Sequence, residues 1–332
     1  MRLADASATV DVVGVGINAT DTIIRLPSFP VPDSKMEVSS TVIAPGGQVA
    51  SAIIACRRWG LSARYVGKIG NDSAGKIQRG EMEREGVEAH WITARGSHSQ
   101  SAFILVDESS GERTILWKRD RKIALRPDDL RRKWIWGAHL LFVDGHDTQA
   151  AACAACWARQ RAIPVVADLD NVYSNVEVLL HQVDFPVTSK VFPEKLTGEV
   201  NLLKALPRIL WKFKCRVIAT TLGRLGVLSW NGSEFFLSPG FRVQAVDTTG
   251  AGDIFHGAFV YGLIRKWSLQ EILEFSNAAA ALSCTAVGAR GHIASLDEIR
   301  ALRSRAERSE PAYPGRALRE ATRLALAVGA RA

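Results

Sequence analysis

Short unbroken apolar runs, separated by stretches of helical pattern, constrain this chain more than any other feature. Val10-Asp-Val-Val-Gly-Val-Gly16, Ala63–Val66, Ala102–Val106, Leu140–Val143, Val165–Asp168 and Val217–Thr220 read as strands. Between them lie helix-forming stretches such as Gln48–Trp59, which stops at Gly60, and Ala150–Arg161. Strands apolar on both sides that alternate with helices build a mostly parallel sheet covered on both faces. The expected fold class is therefore α/β. Two segments break the pattern. The first, 19–44, carries Pro27, Pro30 and Pro32, which exclude a helix, and then the alternating stretch Met36–Val42. Together with 100–118 it is expected to form a small β lid. One domain over 1–302 and a basic tail over 303–332 complete the expected organisation.

The net charge of +8 invites a nucleic-acid reading, which its distribution opposes. Eight Arg against three Glu from Arg300 onward supply five of the eight excess charges. The tail is expected to be a solvated helix. Five cysteines are an odd number, and with no leader pattern reduced thiols are expected. Cys153 and Cys156 form a C-x-x-C inside an Ala-rich helical run, with no second pair to complete a zinc site. They read as small buried hydrophobes. No apolar run approaches the ~20 residues of a membrane span, so a cytoplasmic protein with neither nucleic-acid nor membrane partner is expected.

Two glycine motifs mislead. Gly14-Val-Gly16-Ile-Asn-Ala19 fits a dinucleotide fingerprint, but a proline-rich, β-like segment stands where that motif needs a helix. Gly70-Asn-Asp-Ser-Ala-Gly75-Lys76 opens like a P-loop, yet Ile77 occupies the position of the Mg²⁺-holding hydroxyl. A turn with Asp72 capping the next helix explains it better.

The chemistry concentrates at Asp247-Thr-Thr-Gly-Ala-Gly-Asp253, which runs into the helical stretch Ile254–Ile264. Gly250 and Gly252 allow a tight turn that aims N–H groups outward, and the helix start adds a positive dipole end. Asp253 stands where it could accept a proton from an attacking hydroxyl. An anion hole beside a base is what phosphoryl transfer to an alcohol requires. The same residues taken alone could be a structural cap.

With these motifs in order, the chain resembles the ribokinase/PfkB-type carbohydrate kinases, from about Val10 to Leu302. Asp247–Ile264 resembles the family's C-terminal signature and Gly46–Gly75 its N-terminal glycine region. The resemblance implies a kinase domain, with Asp253 as catalytic base and Gly250, Ala251 and Gly252 as the anion hole. It also implies ATP and Mg²⁺ as cofactors. Thr221-Leu-Gly223-Arg-Leu-Gly226 resembles the nucleotide-binding turn, and Asn277 falls where a side chain lies against adenine. Asp21 matches the acidic residue that holds sugar hydroxyls, and Gly46-Gly47 the site of close sugar approach. Read from the residues alone, Asp21 could be a turn residue and the glycine pair the start of a helix.

Phe29-Pro-Val-Pro-Asp-Ser34 is similar to the lid of the ketohexokinases, where Asp33 would reach a partner subunit's sugar. Ser110–Leu116 is similar to the second lid strand, with Arg113 approaching ATP. Ser99–Ala102 and Val246–Ala258, including His256, resemble the sulfofructose kinases. Lys118, Arg119 and Arg121 are candidate partners for an anionic acceptor, or ordinary solvated charges. Gln48 and Ser51 replace the family's usual amides at the sugar. Ser189 and Phe192 replace an Asn-x-x-Glu that orders water around Mg²⁺, and Glu194 could substitute only with a backbone shift. A K⁺ site at Asp247, Thr249 and Gly288 and a homodimer through the lid are further implications. The expected activity is phosphorylation of a primary hydroxyl of a ketohexose-like sugar. Ribokinase, sulfofructose kinase, nucleoside kinase and a catalytically impaired sugar- or nucleotide-binding protein are the alternatives.

Overall fold

The structure, a computed structural model, describes residues 10–109, 113–305 and 307–329. Part of the second lid segment, Ser110–Glu112, and the ends of the expected domain and tail lie outside the described residues.

The strands are β1 (Val10–Val15), β2 (Ala19–Leu26), β3 (Ser40–Gly46), β4 (Ala63–Gly70), β5 (Glu88–Ala94), β6 (Ser101–Asp107) and β7 (Arg113–Lys118). They continue as β8 (Ala138–Asp144), β9 (Val165–Leu169), β10 (Phe185–Thr188), β11 (Ile218–Thr221), β12 (Val227–Trp230) and β13 (Phe235–Ser238). Nine of them form one sheet in the order β13-β12-β11-β10-β9-β8-β1-β4-β5. It is parallel except for β12 and β13. Alternation along the strands feeds two cores. Val13, Val15, Leu141 and Val143 pack with the helices Thr148–Arg159 and Leu202–Phe213. Val12, Leu140 and Phe142 pack with Gln48–Arg58, Ala251–Ile264 and Leu269–Ser283. The expected α/β class is thus observed.

Strand order runs outward in opposite directions from β1 and β8, so a crevice opens where their C-terminal ends part, the usual ligand position of such sheets. Asp144, at the end of β8, holds the rim by accepting the Ile17 N–H at 2.6 Å. The other four strands form the lid sheet, in the order β3-β2-β6-β7. The β2–β6 pair is parallel and the outer pairs are antiparallel. The second lid strand pair is where the sequence places it, but β3 begins at Ser40 rather than Met36, whose surroundings are exposed loop.

Two sequence expectations are corrected. The tail is helical at Gly315–Gly329 but is not simply solvated. Ala325 is buried, Leu318 and Ala321 pack on the first core, and the Arg308 guanidinium lies 3.5 Å from the Phe241 ring centroid. Cys156 is exposed and Cys153 half-buried, because their helix turns its alanines inward at 150, 151, 154, 155 and 158. The P-loop-like stretch is a capped helix, with Asp72 Oδ1 accepting from Gly75 N–H at 3.0 Å.

Arg290 joins the lid to the core. Its buried guanidinium donates to Ser51 Oγ at 3.0 Å and to the Gly46 carbonyl at 2.5 Å, and it pairs with buried Glu81. It therefore ties helices Gln48–Arg58 and Ser73–Arg84 to the end of β3. Arg290→Met would strand the Glu81 charge and is expected to cost about 3–5 kcal/mol, whereas Arg290→Met with Glu81→Met should recover most of it. Urea unfolding of the three proteins checks this; a single variant as stable as the parent would refute the role of the pair.

Candidate active site

A cavity of about 540 Å³ lies under the lid at the C-terminal ends of the strands, a size that suits a small ligand. Its floor is the start of helix Ala251–Ile264, with Gly250, Gly252 and Asp253 lining it. Gly250 takes φ +75°, and a side chain there would sit 2.5 Å from the Ala289 backbone. Only glycine makes this turn. The first-turn N–H groups of a helix have no partner within it and face outward with the positive dipole end. Ala251 lies at this turn, but its N–H points back to the Thr248 carbonyl at 3.3 Å; Gly250 and Gly252 reach the cavity.

Asp253 is half-buried by its residue surface, and its carboxyl is pushed up to about 8. Desolvation is the main cause; nearby Asp168 adds to it, and His256 and Arg113 oppose it. Asp21, on lid strand β2, is buried and pushed up to about 6 by desolvation, with Arg290 opposing and Asp247 adding. Both groups are therefore ionised only on the alkaline side of an ordinary carboxylate.

The remaining candidate residues divide clearly. Gly47 and Gln48 line the cavity, as do Arg113, Thr221 and Thr249. Gly47 takes φ +96° with Ala19 N 2.7 Å from where a side chain would be, and Gly46 packs against the Asp21 carboxylate. Arg113 reaches from β7 to the Thr248 hydroxyl. Ser51 does not line the cavity: it is fully buried, spent on Arg290. Asp33 sits on an exposed loop, away from the cavity.

Gly223 and Gly226 form a turn after β11 closed by a 2.7 Å bond from Leu222 N–H to the Gly226 carbonyl. Gly226 packs on the Ser238 backbone, and the buried Asn277 amide donates to the Ser238 carbonyl and hydroxyl at 2.8 and 2.9 Å. The nucleotide-turn candidates are thus joined through Ser238, beside the cavity. Asp247 accepts from the N–H groups of Thr249 and Gly288, each at 2.8 Å, leaving buried Thr249 Oγ1 without a partner.

Sequence reasoning missed Asp168, on β9, and His146, Asp170 and Tyr173, just after β8 and β9, which line the cavity wall. The signal was the pair Asp168-Leu-Asp170 at the end of a parallel strand, where ligand groups gather. Ile104, Ile115 and Trp117 supply an apolar roof from the lid.

The model of the pfkB family carbohydrate kinases matches residues 10–295. This chain is a member of the pfkB carbohydrate kinase family. It is 30% identical over 299 residues to the ribokinase of Haemophilus influenzae, covering 87% of this chain and 96% of that one. To the fructokinase of Solanum tuberosum it is 28% identical over 274 residues, covering 77% and 85%. The solved ribokinase of Thermotoga maritima superposes with a TM-score of 0.78 at 25% identity, covering 89% of this chain and all of that one.

A pfkB carbohydrate kinase is a phosphotransferase with an alcohol acceptor. Its departures at Ser189 and Phe192 have a structural basis. Phe192 is fully buried in the first core, and Ser189 donates to the Asp170 carbonyl at 2.6 Å. Glu194 is exposed and does not reach the cavity. Neither position places a carboxylate in this kinase's site.

Were Asp253 the group that takes the acceptor's proton, it would have to be ionised, and activity should be lost as pH falls through about 8. A pH series of kcat/KM checks the limb; a flat profile between pH 6 and 9 would refute it. The same shift costs stability as pH rises from about 4 to 8, because the folded form retains a proton that the unfolded form releases. Asp253→Asn should thus lower turnover by at least about a thousandfold and raise the melting temperature at pH 8.

Proposed function

We propose that this kinase transfers the γ-phosphoryl group of ATP to a primary hydroxyl of a neutral, ketohexose-like sugar. The observation that carries the reading is one cavity in which Asp253 at a helix start and Asp21 on the lid face the same space. Asp21 would hold sugar hydroxyls, and Gly47 lets the sugar approach the backbone. Asp253 takes the proton as the sugar oxygen bonds to phosphorus and the bond to the β-phosphate oxygen breaks, releasing ADP. The turn N–H groups meet the charge that builds on the transferring phosphoryl.

Among the described residues no cluster of three or more His, Cys, Asp or Glu side chains forms a metal cage. That suits Mg²⁺ arriving on nucleotide phosphates with one or two protein carboxylates. Asp170, whose Oδ1 is buried without a partner, is the residue that would hold it. Bound Mg²⁺ would neutralise phosphate charge. Thr249 Oγ1, also unpartnered, supports a K⁺ ion at the Asp247 turn.

A neutral acceptor is favoured over an anionic one. Four carboxylates (Asp21, Asp168, Asp170 and Asp253) line the cavity, against Arg113 as the one lysine or arginine among its described lining residues. Lys118 and Arg121 are exposed, and Arg119 pairs with Asp147. The lid supports a homodimer. Its outward row Ile43–Thr22–Phe103–Leu116 runs across all four strands, with Ile43, Phe103 and Leu116 52–63% exposed. Such an apolar stripe calls for a cover, and Asp33 on its exposed loop would then approach the partner's site.

ADP release with ATP and Mg²⁺ across fructose, tagatose, ribose, sulfofructose and adenosine tests the acceptor. The expected outcome is turnover on a neutral ketohexose; preference for ribose, sulfofructose or adenosine would overturn it, and silence would favour an impaired binding protein. Light scattering tests the assembly. The parent should have twice the chain mass, and Phe103→Asp with Leu116→Asp should be monomeric; a monomeric parent would refute the lid dimer.

A further inference from the structure

Asp168 has no part in the chemistry above, yet it is the most enclosed carboxylate lining the cavity. It lies on β9 and is 3% exposed. Two neighbours fix it. The Gln48 side chain hydrogen-bonds to it, and His256 Nε2 lies 3.4 Å from its Oδ1. His256 is itself held, with Nδ1 2.5 Å from the Gly252 carbonyl and Nε2 3.3 Å from the Val187 carbonyl. The ring therefore spans from the helix start that carries Asp253 to strands β9 and β10. A buried carboxylate needs such partners, and burying one at a cavity wall without further use is costly. Gln48 Oε1 is also buried at this wall and has no partner. The wall thus offers acceptors, and a ligand must supply the donors.

Resting on the sugar-kinase reading above, we propose that Asp168 is a second acceptor-binding carboxylate. With Gln48 it takes hydrogen bonds from sugar hydroxyls on the sheet side of the cavity, while Asp21 does so on the lid side. His256 is the positioning residue that aims Asp168. The site then selects acceptors by a hydroxyl away from the reacting one, and a sugar lacking that hydroxyl leaves the buried Gln48 Oε1 unpaired.

The test uses the full-length enzyme, the best neutral sugar of the panel and its monodeoxy analogues. Asp168→Asn should raise the sugar KM at least tenfold and leave the ATP KM unchanged. One monodeoxy analogue should bind the parent at least tenfold more weakly, and on that analogue Asp168→Asn should change KM by less than twofold. His256→Gln, which keeps a donor, should raise the sugar KM less than His256→Ala; a purely structural histidine would lower the melting temperature and leave KM alone. If Asp168→Asn does not fold, Gln48→Leu replaces it and should weaken binding on the same analogue pattern. An unchanged sugar KM in a folded variant, or equal loss on every analogue, overturns the proposal alone. A parent silent on all neutral sugars overturns the reading it rests on.

Discussion

Arg290 is the buried cation on which the site's geometry hangs. A charge removed from water needs fixed partners in every direction, and this one finds them on three elements: Glu81 on one helix, Ser51 on another and the carbonyl of Gly46 at the end of β3. It also opposes the desolvation of Asp21. The lid's base and the start of helix Gln48–Arg58 are thereby set against each other, which in turn sets where Gly47 and Gln48 face the cavity.

The second constraint is the crowding of carboxylates. Asp21, Asp168 and Asp253 are drawn above their ordinary range by desolvation; Asp170 and Asp144 add to it at Asp168, and Asp168 adds to it at Asp253. This crowding is a cost to the folded state that only function explains. His256 and Arg113 offset part of it at Asp253. A sugar offers hydroxyl donors, and nucleotide-borne Mg²⁺ offers positive charge, so the proposed ligands complement the carboxylates that line the cavity.

The sheet was legible in the sequence because parallel strands buried on both faces leave unbroken apolar runs, and Val10–Val15 and Ala138–Asp144 fall on theirs. The Asp247–Asp253 turn was legible only in company: alone it could be a structural cap, and the order of the other motifs tied it to the family. Asp168 and Asp170 were not, since a D-x-D after a strand looks like any polar loop until the fold closes around it. Ser51 was misplaced for a related reason. The family's motif assigned it to the sugar, whereas its hydroxyl meets Arg290, which lies 239 residues away in sequence. The tail's charge suggested solvent, while its apolar contacts involve Trp211 and the first core, which no local pattern announces.

The parallel pairing of β2 with β6 has a kinetic meaning as well. Between Thr20 and Ser101, which lie side by side in that pair, the chain makes β3, two helices, β4 and β5. Closing so long a loop is entropically expensive until its interior is folded. The β2–β6 pairing is thus expected to follow formation of the β1–β4–β5 unit. Each half of the lid can form its own local antiparallel pair, β2–β3 or β6–β7, before that loop closes, and only the join between the halves waits for the sheet beneath them.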